Sequence, residues 1–216
     1  MGILPFIREG NVIATKYSYE NILKHWHPFD DEAFKKSDKN IYAVITNCRT
    51  GEAEYRKINS VFAQVNTLRA SGSMPGVSKA VHIGNDDYLD GGISDSIPYK
   101  WMFEQGCDKV LVVLTRDIKY RKSKTNPLML KLVKKYPAIM ERMAHRHEEY
   151  NQAVEELKKL EEEGKALVIR PSEPINIGKL EKNPDKLKAV YDLGVKDALA
   201  FIDNNKEILK EYDALR

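Results

Sequence analysis

Asp90 is the residue whose sequence context is best suited to acid–base chemistry. It precedes Gly91 and Gly92 in the segment Tyr-Leu-Asp-Gly-Gly-Ile, residues 88–93, and lies between two apolar stretches. Glycines beside a carboxylate permit a tight turn and leave room for a substrate or a second loop to approach. The pattern predicts an accessible carboxylate that can accept a proton. The alternative is an aspartate that only hydrogen-bonds its own backbone in an Asx turn.

The segments before Asp90 predict a hairpin and a helix. Residues 41–48 and 54–58 are typical of two β-strands, and Thr50-Gly51 provides a turn between them. Ser60 is expected to cap a helix over residues 61–69, whose apolar side chains recur at helical spacing. That helix leads into a glycine- and serine-rich loop just upstream of Asp90.

The segment after Asp90 predicts a short helix and then a buried strand. Pro98 suits the start of the helix and Gly106 its end. Residues 109–115 are almost wholly apolar, which favours a strand covered on both faces, as in a parallel sheet. A short helix followed by a buried strand is typical of the α/β class.

The remainder of the chain predicts long helices. One is expected to start at Asn126-Pro127 and to be broken or kinked at Pro137, and a later segment ends at Gly164. Residues 166–171 indicate a short strand, and residues 187–202 indicate an amphipathic helix. Helical spacing predicts core packing for the stripe Met140, Met143, Tyr150, Val154, Leu157 and Leu160.

Composition places the chain among soluble globular proteins. The 216 residues are 42% hydrophobic and 31% charged, with a net charge of +3. No apolar run reaches the ~20 residues of a membrane span, and the N-terminus does not resemble a secretory signal. Cys48 and Cys107 do not suggest a disulfide framework, which favours a cytoplasmic location with at most peripheral membrane contact.

Three segments around Asp90 occur in an order and spacing that resembles the patatin-like phospholipase family. They are residues 70–76 (Ala-Ser-Gly-Ser-Met-Pro-Gly), residues 80–83 and residues 88–92, and Pro98 then begins a helix. Residues 28–30, 43–51 and 106–115 also resemble family segments, and the C-terminal helices are similar to the extension of a bacterial subgroup. The resemblance covers nearly the whole chain.

The resemblance implies an α/β fold in two parts. Residues 1–120 would form a patatin-like three-layer α/β/α sheet, incomplete at its N-terminal side. Residues 121–216 would form a helix-rich C-terminal extension. The implied activity is hydrolysis of a lipid or acyl ester, in which a serine attacks the carbonyl and an aspartate is the general base. Neither a cofactor nor a metal is implied.

The same resemblance implies roles for individual residues. Asp90 would be the aspartate of the serine–aspartate dyad, with Gly91 and Gly92 shaping its turn. The neighbouring pocket or turn residues would be Ser71, Gly72 and Ser73.

The chain departs from the family where the nucleophile is concerned. Family members carry a glycine-rich oxyanion loop and a GxSxG turn between a strand and a helix, and neither motif occurs here. Ser78 and Ser94 follow a glycine by two positions but lack the closing glycine, and neither is expected to follow a buried strand. The expectation is therefore a C-terminal portion of such an enzyme, inactive by itself.

Two alternatives remain at this point. One is a non-catalytic module that keeps the C-terminal half of the fold and binds lipid or a protein. The other is an enzyme of a different family that uses Asp90 with a metal.

Histidines and basic residues add two weaker signals. His25 and His27, and likewise His145 and His147, have HxH spacing, but helical context makes packing or surface positions the favoured interpretation over a metal site. A basic stretch over residues 116–135 could attract anionic membrane lipids, although a solvated surface is the simpler interpretation. No nucleic-acid motif accompanies the charge, and the oligomeric state cannot be predicted.

Overall fold

A computed structural model describes residues 14–15, 17–178, 181–208 and 210. The fold is mixed α/β, which confirms the predicted class. The elements, in chain order, are a π-helix (Tyr17–Trp26), α1 (Asp31–Lys36), β1 (Tyr42–Asn47), β2 (Ala53–Lys57), α2 (Val65–Ser71), β3 (Val81–Ile83), β4 (Asp86–Asp90), a 3₁₀ turn (Gly91–Ile93), α3 (Tyr99–Glu104), β5 (Val110–Val113), α4 (Pro127–Leu132), α5 (Pro137–Glu162), β6 (Ala166–Ile169) and α6 (Pro184–Asn204).

The described residues group into two compact units. Unit 1 lies within residues 1–97 and 123–150, and unit 2 lies within residues 98–122 and 151–216. Each unit takes residues from both sides of position 120. The division into a catalytic part before residue 120 and an extension after it stays a prediction.

A four-stranded antiparallel sheet forms the centre of unit 1. Its strand order is β2-β1-β4-β3. The predicted β1–β2 hairpin is confirmed, with Tyr42 paired to Lys57 and Thr46 to Ala53, and Gly51 occupies the turn at φ +75°. On the other side of β1, Ile45 pairs with Asp90. Asp90 therefore ends a strand at the interior of the sheet, next to the central strand β1.

Two apolar clusters hold the sheet in place. One consists of Ile45, Ala70, Val81 and Tyr88. The other joins side chains of the sheet and the 3₁₀ turn with side chains of the later helical segment, namely Cys48, Leu89, Ile93, Val133, Ile139 and Met143. Burial of this kind stabilises a fold by roughly 25 cal/mol per Å² of apolar surface. The strand that ends at Asp90 contributes to both clusters.

Helix α2 starts later than the sequence predicts. It begins at Val65 rather than at residue 61, because residues 61–64 form a turn instead. The prediction that Ser60 caps this helix is wrong, because the N-cap residue is Gln64; Ser60 Oγ instead accepts a hydrogen bond from the Ala63 amide at 3.1 Å within the preceding turn. The hydroxyl of Ser60 also donates to Asp31 Oδ2 at 2.6 Å, which ties α1 to this turn.

Unit 2 contains a parallel pair of strands, β5 and β6, with Val110 opposite Ala166. The sequence predicts that residues 109–115, which form β5, are covered on both faces, and this is wrong for the described residues. Val110 and Val112 are buried, whereas Leu111 is 54% and Val113 68% exposed. Successive side chains of a strand point to opposite faces, and only one face of β5 is covered here.

Helices account for the rest of unit 2 and for one face of unit 1. Asn126 caps α4 through its side chain, and the predicted break is confirmed: α4 ends at Leu132 and a second helix, α5, begins at Pro137. On α5, Met143, Val154 and Leu157 are buried, which confirms their packing role, but Met140 is 40% exposed. The amphipathic α6 is present, and none of its described residues is buried. No helix among the described residues has both the length and the apolar character that a membrane crossing needs.

Candidate active site

Asp90 is both the last residue of β4 and the cap of the following turn. Its Oδ1 accepts a hydrogen bond from the Gly92 amide at 2.8 Å. The Asx-type contact considered from sequence therefore exists. It engages Oδ1, and an ionised carboxylate can accept several hydrogen bonds at once. The contact fixes the orientation of the carboxylate and is compatible with a role as proton acceptor.

The backbone of Asp90 is held from two directions. Its amide donates to the carbonyl of Ser73 at 3.0 Å, and its carbonyl accepts from Thr46 Oγ1 at 2.8 Å. Thr46 is fully buried, and its Oγ1 lies 2.8 Å from Ser94 Oγ, within hydrogen-bond distance. Buried hydrogen bonds of this kind restrict the loop to one conformation.

Gly91 is required by the close approach of β1. A β-carbon at this position would lie 2.2 Å from the carbonyl oxygen of Val44, which no side chain can occupy. The sequence also predicted that the glycines give freedom for a tight turn. The tight turn is present as the 3₁₀ turn Gly91–Ile93, but it does not need the conformational freedom of glycine, because neither Gly91 nor Gly92 has a positive φ.

Gly92 leaves space for charged side chains rather than for backbone. A β-carbon there would stand 3.1 Å from Arg146 Nη2 and 3.2 Å from Asp90 Oδ1. Arg146 lies on α5, more than fifty residues after Asp90 in the sequence. The guanidinium and the carboxylate thus approach the same glycine.

Arg146 and Glu149 also line a small polar cleft of about 50 Å³, together with Ile93, Ser94, Asp95, Ser96 and Tyr150.

The loop at residues 71–76 lies beside Asp90, as the sequence predicts. Ser71 ends α2, and Gly72 follows as its C-terminal cap. Ser73 is buried, and its hydroxyl donates to the carbonyl of Arg69 at 2.7 Å. The Ser73 hydroxyl therefore closes the end of α2, while the Ser73 carbonyl binds the Asp90 amide.

Neither of the two other serines considered as nucleophiles lies in a strand-to-helix elbow. Ser78 belongs to a turn in which its amide donates to the Met74 carbonyl at 2.9 Å. Ser94 does follow strand β4 through the 3₁₀ turn, so the expectation that it would not follow a strand is wrong. Its hydroxyl is nevertheless engaged with buried Thr46.

A second cleft lies next to the Ser71–Ser73 segment. It is lined by Thr15, Tyr19, Arg69, Gly72, Ser73, Ser78 and Lys79. A β-carbon on Gly72 would stand 3.0 Å from the hydroxyl of Tyr19. Burial raises the pKa of the Tyr19 phenol above 10; the charge of Arg69 opposes this shift, and that of Asp90 adds to it. Tyr19 is therefore a neutral hydrogen-bonding group close to both charges. The sequence analysis did not identify Tyr19 or Arg69.

The first half of α5 completes the core beneath the Asp90 turn. Ile139 is fully buried and Met143 is 6% exposed, and both pack in the same cluster as Leu89 and Ile93. Arg142 of the same helix donates through Nε to the carbonyl of Gly51 at 3.0 Å. This helix therefore holds the hairpin and the Asp90 turn together within unit 1.

The other acidic residues of β4 have different partners from those of Asp90. Asp86 accepts from Arg49 Nε at 2.8 Å and from Asn47 at 3.2 Å. The Arg49 hydrogen bond lowers the pKa of Asp86 to about 2. Hydrogen bonds from Tyr136 and then His82 lower the pKa of Asp87. Both carboxylates serve as structural anions on the same strand that ends at Asp90.

Some members of the histidine pairs and of the basic stretch contact neighbouring side chains, and others are exposed. His25 and His27 are exposed, and His147 Nε2 lies 3.7 Å from Glu148. Within the described residues, no group of three or more histidine, cysteine, aspartate or glutamate side chains is arranged to hold a metal. Of the basic stretch, Arg116 stacks over Tyr120 at 5.0 Å and Arg121 pairs with Glu155.

Two parts of this chain match the models of known protein families. Residues 26–101 match the model of the patatin-like phospholipase family, which confirms the resemblance over the segment that contains Asp90. Residues 136–210 match a second family model, described as a domain of unknown function, DUF6363. The buried residues Ile139 and Met143 belong to this second segment, so the core of unit 1 combines residues from both matched segments.

The chain is also similar to a curated bacterial protein. It is 30% identical over 114 residues to the uncharacterized protein YjjU of Escherichia coli (strain K12). The matched region covers 52% of this chain and 32% of that protein. The match therefore spans about a third of the relative's length.

Proposed function

We propose that this chain supplies the aspartate half of a serine–aspartate lipid acyl hydrolase site, with Asp90 as the general base. The observation that carries the proposal is the fixed geometry of Asp90 at the end of β4 within the patatin-like segment. The main-chain amide and carbonyl of Asp90 are both hydrogen-bonded, and its Oδ1 accepts a hydrogen bond from the Gly92 amide. The sequence has no serine in a GxSxG context, so the chain alone is proposed to be inactive.

The proposed reaction proceeds in two steps. Asp90 accepts the proton of a serine hydroxyl while the serine oxygen attacks the ester carbonyl. The alkoxide leaves with that proton and an acyl-serine remains. Water then loses a proton to Asp90 and attacks the acyl-serine, which releases the fatty acid and restores the serine. A dyad of this kind needs no third residue and no cofactor.

The local architecture supports this assignment over a purely structural role. Asp86 and Asp87 on the same strand are paired with Arg49 and with Tyr136 and His82, in arrangements that hold the fold together. Asp90 differs from them in being followed by two glycines, and the guanidinium of Arg146 approaches the second of these glycines. Arg146, which approaches the same glycine as Asp90, lines one small polar cleft, and Ser73, whose carbonyl binds the Asp90 amide, lines a second.

The first test is whether the purified 216-residue chain hydrolyses a p-nitrophenyl ester or reacts with a fluorophosphonate probe. We expect neither activity nor labelling. Serine-dependent turnover that Asp90→Ala abolishes would contradict the proposal, since the nucleophile would then lie within these residues.

The second test is to read the coding DNA on the 5′ side of Met1. A glycine-rich loop and a GxSxG motif encoded there would support the dyad. If that DNA encodes neither motif, the dyad proposal fails for this gene and a lipid- or protein-binding module replaces it.

A further inference from the structure

Arg146 approaches the Asp90 turn from a helix that lies outside the patatin-like segment. Asp90 belongs to residues 26–101, whereas the whole of α5 lies within residues 136–210, which match the domain of unknown function. Asp90 and Arg146 both belong to unit 1. The segment that matches the domain of unknown function therefore brings a cation to the strand end that carries the proposed base.

The apolar side of α5 fixes the position of Arg146. Ile139, Met143 and Arg146 recur at helical spacing, which puts them on one side of the helix. Ile139 is fully buried and Met143 is nearly so, and both pack in the same cluster as Leu89. Because Leu89 directly precedes Asp90, this packing holds Arg146 in a defined position relative to the Asp90 turn.

Gly92 is the point that the guanidinium and the carboxylate both approach. A β-carbon there would lie 3.1 Å from Arg146 Nη2 and 3.2 Å from Asp90 Oδ1, so the missing side chain leaves room for both charged groups. The Nε of Arg146 is buried, and Asp90 is half-buried. Opposite charges interact more strongly where water is partly excluded, because the effective dielectric constant is lower there.

Two carboxylates share the cleft that Arg146 lines, and each has another partner. They are Asp95 and Glu149. Asp95 Oδ2 accepts a hydrogen bond from the Tyr55 hydroxyl at 2.6 Å, and Glu149 Oε1 accepts one from Arg142 Nη1 at 2.9 Å. These contacts reduce the competition for the guanidinium of Arg146.

The π-helix and α2 contribute one further titratable group and one further cation. Burial is the main cause of the raised pKa of Tyr19, which the charge of Arg69 opposes and the charge of Asp90 reinforces. Tyr19 is therefore neutral at physiological pH. Arg69 is an alternative source of positive charge for Asp90, so the experiment must separate it from Arg146.

We propose that Arg146 is a positioning residue that holds the Asp90 carboxylate ionised and oriented to accept the proton of the nucleophilic serine. Its catalytic meaning rests on the proposed function, whereas the charge coupling is a property of this chain alone. A general base must be ionised, and burial by itself favours the neutral acid. A guanidinium a few ångströms away counteracts that effect. The segment of unknown function would thus contribute to the active site as well as to the core.

The Gly92 amide reports the ionisation of Asp90, because it donates a 2.8 Å hydrogen bond to Asp90 Oδ1. Its NMR chemical shift is followed in the 216-residue chain as the pH is lowered from neutrality. Arg146→Gln should raise the midpoint of this titration by about one pH unit, and Arg146→Lys, which keeps the charge, should raise it by less than half as much. Asp90→Asn should abolish the step, which assigns it to this carboxylate.

Two further variants test the geometry and the specificity. Gly92→Ala changes no charge, but its methyl group would push the guanidinium and the carboxylate apart, so the midpoint should again rise. Arg49→Gln is the matched control: it removes a guanidinium that lies 2.8 Å from Asp86 on the same strand, and it should leave the midpoint unchanged. Thermal unfolding at neutral pH checks each fold, and Gly92→Ala serves if the Arg146→Gln protein unfolds.

Three results would overturn the role of Arg146. One is an unchanged midpoint in a folded Arg146→Gln or Gly92→Ala protein. Another is an equal rise in Arg49→Gln, which would indicate a general effect of charge. The third is a rise in Arg69→Gln alone, which would assign the stabilising cation to α2. Because none of these measurements needs hydrolysis, they distinguish failure of Arg146 as a partner from failure of Asp90 as a base.

Discussion

The main-chain amide of Asp90 donates a 3.0 Å hydrogen bond to the carbonyl of Ser73. This bond joins the end of strand β4 to the loop that follows helix α2. Ser73 also lines the cleft around Tyr19 and Arg69, so the bond connects the proposed base to the edge of that cleft. The backbone of Asp90 is thus positioned by contacts that do not depend on the ionisation of its side chain, while the Gly92 amide orients the carboxylate.

Replacement of Gly91 should destabilise the protein through a steric clash. Gly91→Ala places a β-carbon 2.2 Å from the carbonyl oxygen of Val44, so a backbone segment must move. We expect a loss of about 1–3 kcal/mol in the free energy of unfolding. Urea denaturation followed by circular dichroism measures this loss.

The matched control is Gly194→Ala, in the interior of α6, where nothing lies within 4 Å of the added carbon. Alanine there should stabilise the protein by up to about 1 kcal/mol, because glycine is a poor helix former. Equal effects of the two changes would disprove the close approach of β1 to Gly91.

The first half of helix α5 should unfold together with the sheet within unit 1. Ile139→Ala removes a fully buried side chain from the cluster that includes Leu89 and Ile93, at a cost of about 2–5 kcal/mol. Met140→Ala changes the next residue, which is 40% exposed, and should cost only about 0.5 kcal/mol. Native-state hydrogen exchange should show reduced protection of the β1 and β4 amides in the first variant. Unchanged protection there would mean that α5 is not part of this core.

The ion pair of Glu156 should contribute stability that depends on pH. Lys100 Nζ lies 2.6 Å from its carboxylate, and the hydrogen bonds from Lys100 and then Tyr99 lower the pKa of Glu156 from 4.5 to about 2. A carboxylate whose pKa is lower in the folded state stabilises the fold above its unfolded pKa, and this contribution is lost as the pH falls through the folded pKa.

The stabilisation should therefore be complete above about pH 5 and should disappear between about pH 4.5 and pH 2. Glu156→Gln removes it, so the stability difference between wild type and variant should shrink across that range. Urea unfolding at a series of pH values measures the difference. A difference that stays constant from pH 6 to pH 2 would rule out this ion pair as its source.

Local sequence signals predicted the parts of the site that are close together along the chain. The hairpin before Asp90, the turn at Gly91 and the adjacent loop with Ser73 follow from strand patterns, glycines and a family resemblance. Arg146 and Tyr19 were missed because they come from helices far from Asp90 in sequence, and helical periodicity does not indicate which strand a helix packs against.

Burial was also harder to predict than element type. The apolar segment that became β5 has the expected strand structure, but Leu111 and Val113 are exposed on one face. An unbroken apolar run does not reveal whether covering elements occupy both faces. The reason for Gly91 likewise became visible only from its distance to Val44.

The central claim is that Asp90 is the general base of a serine–aspartate dyad. The most direct measurement is kcat for ester hydrolysis by this chain extended by the polypeptide read from the DNA on the 5′ side of Met1, provided that this DNA encodes a GxSxG motif. Asp90→Asn is compared with Asp86→Asn, which alters a carboxylate on the same strand that is bound by Arg49. We predict that Asp90→Asn lowers kcat by about 10²–10⁴-fold, while Asp86→Asn stays within about twofold of the wild type. Wild-type kcat in the Asp90→Asn protein would contradict the account.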